Sequence, residues 1–132
     1  MKGDDGFGSV FIEKIKGKIK AICINAGTSP ENFIGSVLKE NPDTILFVDA
    51  VHMDIKPGQY KILKPSDILK SGFTTHDLSP RMFIEYIKNE TKADIYILGV
   101  QPQNIAFGDE MSYNVKMTLE NLTKLMKELN YA

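Results

Sequence analysis

The feature that most constrains this chain is the run Thr44 to Ala50, TILFVDA, in which four successive apolar residues, Ile45 to Val48, stop on a carboxylate at Asp49. An unbroken apolar run of this length suits a strand covered on both faces, the habit of a parallel sheet with helices above and below it. In open α/β sheets ligands bind beyond the carboxyl ends of the strands, so Asp49 stands where chemistry is done. Taken alone, an aspartate there is more often a cap for the following turn, here Ala50 to Asp54. Two further features weigh against that plain reading: Asp4-Asp5 among glycines, and the TTHD segment around His76.

The remaining segments alternate between helical and extended patterns. Phe7, Val10, Phe11 and Ile15 share one face of a short helix, with Glu13, Lys14 and Lys16 turned to water. Ile19 to Ala26 contains Ala21-Ile22-Cys23-Ile24 with no polar alternation, which predicts a second strand buried on both sides. Thr28-Ser29-Pro30-Glu31 has the form of a capping box opening a helix with Phe33, Ile34, Val37 and Leu38, which Asn41-Pro42-Asp43 ends. Pro57-Gly58 predicts a turn into Gln59 to Leu63, whose partial alternation places it at a sheet edge and antiparallel. Pro65 to Lys70 suits a turn or two of helix. Ser79-Pro80 starts another helix, with Met82, Phe83, Tyr86 and Ile87 inward.

Ala93 to Val100, ADIYILGV, is the next strongest strand, followed by an irregular loop from Gln101 to Met111. A last helix from about Ser112 to Asn130 carries the stripe Val115, Leu119, Leu122, Met126 and Leu129, which reads as core. There is no internal repeat and no long linker. The chain therefore reads as one domain over residues 1–132, a three-layer α/β sandwich with a mostly parallel, twisted sheet flanked by helices.

Charge narrows the partners. The 16 Lys and Arg nearly balance 17 Asp and Glu, with no basic run, which argues against nucleic acid and anionic membranes. The single cysteine, Cys23, permits no internal disulfide and no cysteine metal cluster, and its apolar surroundings mark it as inert packing. No apolar run has the length of a membrane span and the N-terminus lacks a secretion signal, so the expectation is a soluble, cytoplasmic protein.

Two acidic sites and one imidazole then stand out. Asp4-Asp5-Gly6 offers carboxylates in a permissive turn, although such turns are usually just solvated. His76, between Thr75 and Asp77, could be held in one tautomer and present its other nitrogen to a metal; His52, close after Asp49, competes for that role. Together, carboxylates and imidazole from separate loops form either an open metal site or a general acid and base pair acting on a peptide bond. Clustered carboxylates repel, and a cation removes that cost. A receiver-like, magnesium-binding signalling module without peptidase activity is the competing reading, from Asp4-Asp5 and Asp49. It needs a lysine where Gly99-Val100-Gln101-Pro102 stands. A flavodoxin-like nucleotide-binding module has only Gly3, Gly6 and Gly8 in its favour.

Five segments in order, GDDGFG (Gly3 to Gly8), GTSPENF (Gly27 to Phe33), ILFVDAVHMDIKPG (Ile45 to Gly58), TTHDLS (Thr74 to Ser79) and LGVQPQNIAFG (Leu98 to Gly108), resemble the nickel-iron hydrogenase maturation endopeptidases. The similarity spans essentially the whole chain, and the TSPEN and QPxNI segments are most similar to the subgroup serving hydrogenase-3-type enzymes. This resemblance implies an endopeptidase that removes the C-terminal extension of a hydrogenase large-subunit precursor after nickel insertion, cutting after a basic or histidine residue. It further implies that Asp5, Asp49 and His76 meet the nickel carried by the precursor, with Asp5 and Asp49 loosely assigned to catalysis. Other divalent metals could occupy the site, and a monomer is favoured. There is no HExxH zinc-protease motif.

In one respect the chain departs from that family, whose members have a first strand ending in Gly-Asn ahead of the acidic turn. Here only Met1, Lys2 and Gly3 precede Asp4, too few for a strand. The expectation is that a strand upstream of Met1 is missing, leaving neighbouring backbone unpaired. Thermal unfolding should therefore show a higher Tm, and processing assays a higher activity, for a form extended upstream by an apolar strand; an unchanged Tm would contradict this.

Overall fold

The computed structural model describes residues 3–27, 30–75, 79–103 and 110–129; the side chains of Pro30, Glu31, Leu69 and residues 79–84 lie outside the description. Among the described residues the sheet has three strands, β1 (Thr44–Ala50), β2 (Tyr60–Leu63) and β3 (Asp94–Val100), in the order β1-β3-β2. β1 pairs parallel with β3 from Thr44↔Asp94 to Ala50↔Val100, and β2 pairs antiparallel with β3 from Tyr60↔Val100 to Leu63↔Ile97. The antiparallel edge expected at Gln59 to Leu63 is thus present.

Helices α1 (Phe7–Ile15), α2 (Ile34–Lys39), α3 (Pro65–Ser71), α4 (Ser79–Glu90) and α5 (Tyr113–Leu129) accompany the sheet, as a layered α/β fold requires. Alternation along β3 builds two cores. Leu98 and Val100 join Phe7, Phe11 and Ile15 of α1 and Val115, Leu119 and Leu122 of α5. Ile95 and Ile97 join Val51, Met53, Leu63, Ile68 of α3 and Ile87 of α4. The first core is anchored by Phe7 and Phe11, both with no exposed surface, their rings stacked with centroids 5.9 Å apart. Burying each such ring contributes on the order of 1.5–3 kcal/mol, so α1 is held to the sheet by its apolar stripe rather than by caps. Its N-cap, Gly6, indeed makes no side-chain capping bond.

Where helices and turns begin and end follows local chemistry. α2 opens through a 3-10 turn at Pro30–Phe33 and is followed by Asn41 at φ 47, a left-handed stop suited to asparagine. The proposed cap at Thr28-Ser29 lies outside the described residues. α3 has proline in its first turn, and the Lys64 N–H donates to Asp67 Oδ2 at 2.9 Å. At the Pro57-Gly58 turn, Gly58 has φ 87 and its N–H donates to the Gln101 carbonyl at 2.9 Å, while its own carbonyl accepts from the Thr118 hydroxyl. A Cβ at Gly58 would sit 2.7 Å from the Asn114 carbonyl oxygen, so this turn lies flat against the start of α5 only because it is glycine.

Four expectations are corrected. Ile19 to Ala26 is not a strand: its residues form no ladder, Ile22 is 66% exposed and Cys23 to Ala26 are only half-buried. β1 is not enclosed; it is an edge strand, with Leu46 40% exposed and only Ala50 fully buried, and β3 is the buried centre instead. The two departures have one physical cause. An extended segment becomes a strand only with a hydrogen-bonding neighbour. The 19–27 segment and β1 both line one cleft, and no described strand pairs with the segment or with the second edge of β1. Asn25 instead donates its side-chain amide to Glu13 Oε1 of α1 at 3.0 Å. On α5 the buried stripe stops at Leu122 and Thr123, with Met126 half-buried and Leu129 58% exposed. On α4, Ile87 is buried as expected but Tyr86 is 50% exposed, and Met82 and Phe83 lie outside the described side chains.

Two glycine substitutions separate backbone strain from helix propensity. Gly58→Ala should lower stability by about 2 kcal/mol or more in urea unfolding, from the positive φ and the Asn114 contact. Gly35→Ala, on α2 with open space around it, should be neutral or stabilising by about 0.5 kcal/mol. Equal effects of the two would contradict the Gly58 packing.

Candidate active site

The acidic turn is a 3-10 helix, Gly3–Gly6, leading directly into α1. Its two aspartates face different ways. Asp4 is wholly buried, and its carboxylate accepts from the Gln103 N–H at 2.7 Å, the Ser112 N–H at 2.7 Å and the Ser112 hydroxyl at 2.8 Å. Asp5 is half-buried and lines the cleft. The turn is brought there by Gly8, where any Cβ would collide with the Val48 carbonyl oxygen of β1. Glycine lets the first turn of α1 touch the end of the strand, and so places the acidic turn near the residue after Val48, which is Asp49.

Asp49 is half-buried, and its Oδ1 accepts from the Ala50 N–H at 2.9 Å, so the plain capping role is partly real. It also lines the same cleft as Asp5, a cavity of about 950 Å³ walled by β1, α1 and the 19–27 segment. The chain beyond Asp49 is held at three points. The Val51 N–H donates to the Val100 carbonyl at 3.0 Å, His52 forms an isolated antiparallel bridge with Thr74, and the Met53 N–H donates to Gln101 Oε1 at 2.7 Å. The His52–Thr74 bridge ties Thr74 to the chain just beyond β1, and Thr74 and Thr75 line the cleft.

Of the residues singled out from the sequence, Asp5 and Asp49 both line one cleft, which runs along β1 from Thr44 to Asp49, and His76 lies outside the described residues. His52 is half-buried and is not among the residues lining the cleft. Among the described residues no three carboxylate, thiol or imidazole side chains gather closely enough to hold a metal ion. Cys23 also lines the cleft, from a coil rather than the expected strand, and its Sγ lies 3.6 Å from the Ala21 carbonyl. Burial pushes its thiol above the ordinary value, against a smaller opposing pull from Lys16, so it stays protonated near neutrality and is a poor nucleophile.

Three contributors were not legible in the sequence. Asp4 was grouped with Asp5 as a possible ligand, but its partners are 99 and 108 residues away, a separation no local pattern reports. Gln101 stands out in the sequence for its place in the QPxNI segment and for not being lysine, and neither tells that it accepts from the Met53 N–H and donates through Nε2 to the Pro102 carbonyl at 3.3 Å. Thr74 pairs through its backbone, to which its side chain gives no clue.

Carboxylates from separate segments placed at the carboxyl end of parallel strands are the arrangement of an α/β enzyme site. The model of the hydrogenase maturation protease family matches residues 11–128. The hydrogenase 3 maturation protease of Escherichia coli K12 is 32% identical over 125 residues, covering 92% of this chain and 80% of that protein. The crystal structure of the nickel-iron hydrogenase maturation protease HycI from Thermococcus kodakarensis superposes with a TM-score of 0.87 at 33% identity, covering 99% of this chain and 86% of that one. The solution structure of the endopeptidase HycI from Escherichia coli superposes with a TM-score of 0.82 at 28% identity, covering 97% and 83%.

This chain belongs to the hydrogenase maturation protease family and is a peptidase. The receiver-like reading falls with that finding, in keeping with Gln101 at the end of β3 where a lysine was needed. No helix among the described residues is long and apolar enough to cross a membrane.

The Gln101 side chain gives a direct test of how the loop after Asp49 is held. Gln101→Leu leaves the buried Met53 N–H without its acceptor, which should cost about 1–3 kcal/mol and speed hydrogen exchange at Met53 selectively. Unchanged protection at Met53 would contradict the contact.

Proposed function

We propose that this peptidase removes the C-terminal extension of a nickel-iron hydrogenase large-subunit precursor after nickel insertion, and that Asp5, Asp49 and His76 recognise the nickel the precursor carries. The observation that carries this reading is that Asp5 and Asp49, far apart in the chain, line one cleft. Thr75, the residue before His76, lines it too.

The donor set fits the task. Two carboxylates and an imidazole suit a borderline divalent ion and leave positions for ligands the precursor already supplies. Bringing two carboxylates to one cavity costs electrostatic energy in the free enzyme, and an arriving cation relieves it. Affinity for the precursor then depends on whether its metal is in place. At the rim of the sheet one of the two carboxylates can take the proton of the water that attacks the peptide bond. The substrate is of the hydrogenase 3 type, the class named for the Escherichia coli relative. The enzyme acts as a cytoplasmic monomer, with neither nucleic acid nor membrane as partner.

Incubation with a nickel-loaded large-subunit precursor tests this. Wild type should shorten the precursor, whereas Asp49→Asn and His76→Ala should lower the rate by on the order of 10²-fold or more, as loss of a positioning contact does. Processing unaffected by both substitutions would remove the assignment.

A further inference from the structure

Asp4 has no exposed surface, lines no part of the cleft, and yet carries a carboxylate in a place where an apolar residue would be less costly to bury. The three donors that converge on it explain its chemistry. Ser112 N–H reaches Oδ1, while Gln103 N–H and the Ser112 hydroxyl reach Oδ2. All three partners sit beyond the end of β3, on the two described stretches that follow it, and Asp4 joins both to the acidic turn. Only an acceptor on each oxygen satisfies the two backbone N–H groups. An amide in either orientation would turn its NH2 against one of them.

The next residue along the turn is Asp5, half-buried in the cleft. A 3-10 turn leaves little freedom between neighbouring residues, so fixing the Asp4 carboxylate fixes the direction in which Asp5 leaves the backbone. From this geometry we propose that Asp4 is a positioning residue. It staples the acidic turn to Gln103 and Ser112 and thereby aims Asp5 beside Asp49, where the substrate's metal is met. The inference rests on the proposed role of Asp5 and extends it to a side chain that touches no substrate. It also divides the paired aspartates: Asp4 binds Gln103 and Ser112, and Asp5 lines the cleft.

The test is a double-substitution cycle in the precursor-processing assay, with rates taken per folded molecule well below each Tm. Asp5→Asn alone should lower processing. Asp4→Asn alone should lower it by on the order of 10²-fold, the scale expected for a displacement of about 1 Å at a reacting group. In the Asp5→Asn background, Asp4→Asn should cause little further loss, because it acts through the group already removed.

Ser112→Ala removes one of the three contacts and keeps both backbone donors, so it should fold and show a smaller loss of the same coupled kind. The carboxyl carbon resonance of Asp5 should move in Asp4→Asn and Ser112→Ala. It should stay in place in Leu63→Ala, which weakens the other core without touching the turn. Losses that multiply in the two backgrounds, or a fall in Tm with processing and the Asp5 resonance unchanged, would overturn the positioning role while leaving Asp5 as a ligand. Processing indifferent to Asp5→Asn would remove the reading beneath it, and the proposal with it.

Discussion

The parallel pairing of β1 with β3 is the interaction on which everything else in the molecule depends. It runs the full length of both strands, from Thr44↔Asp94 to Ala50↔Val100, and continues one step further in the Val51–Val100 hydrogen bond. Because the strands are parallel and in register, their carboxyl ends finish together. Asp49 on one strand and Gln101 just beyond the other therefore share a rim, where Gln101 takes hold of Met53. Each of the other segments at the rim is attached to this pair. The acidic turn is attached through Gly8 against Val48 and through Asp4 to Gln103, and Thr74 is attached through its bridge to His52.

The energetics divide between the faces of the sheet and its end. The faces are apolar and non-specific in direction: α1 and α5 on one side, α3 and α4 on the other, held by buried side chains whose contributions follow area. The rim is polar and directional. There, backbone donors are satisfied by side chains of Asp4, Asp49 and Gln101, and each bond fixes an orientation as well as an energy. A peptidase site needs this second kind of order, since carboxylates must point to within fractions of an ångström of where charge is met. The apolar cores supply the platform and the buried polar contacts supply the aim.

Much of this was legible in the sequence, and the failures have a common origin. The unbroken run DIYILGV predicted a buried strand and β3 is one; the stripe of Phe7, Phe11 and Ile15 predicted the face that α1 buries. That Asp49 stands at the end of its strand was legible from the apolar run before it, whereas the acidic turn among glycines marked Asp4-Asp5 only as a pair. By contrast, AICINA has the composition of a strand but no described neighbour to pair with, and TILFVDA has one neighbour instead of two. Composition states what a segment can become, and pairing decides whether it does. Asp4 and Gln101 were opaque for a related reason, since their roles are defined by partners distant in sequence.

The central claim is that segments far apart in the chain bring two carboxylates and one imidazole to a single cation at the rim of the sheet. Titration of the protein with diamagnetic cadmium, followed in one experiment by histidine ring and aspartate carboxyl resonances, tests it most directly. The account predicts that the His76 ring and the Asp5 and Asp49 carboxyls shift together with one midpoint while His52 and Asp4 stay still. Shifts at His52 in place of His76, or midpoints that differ between the two aspartates, would contradict it.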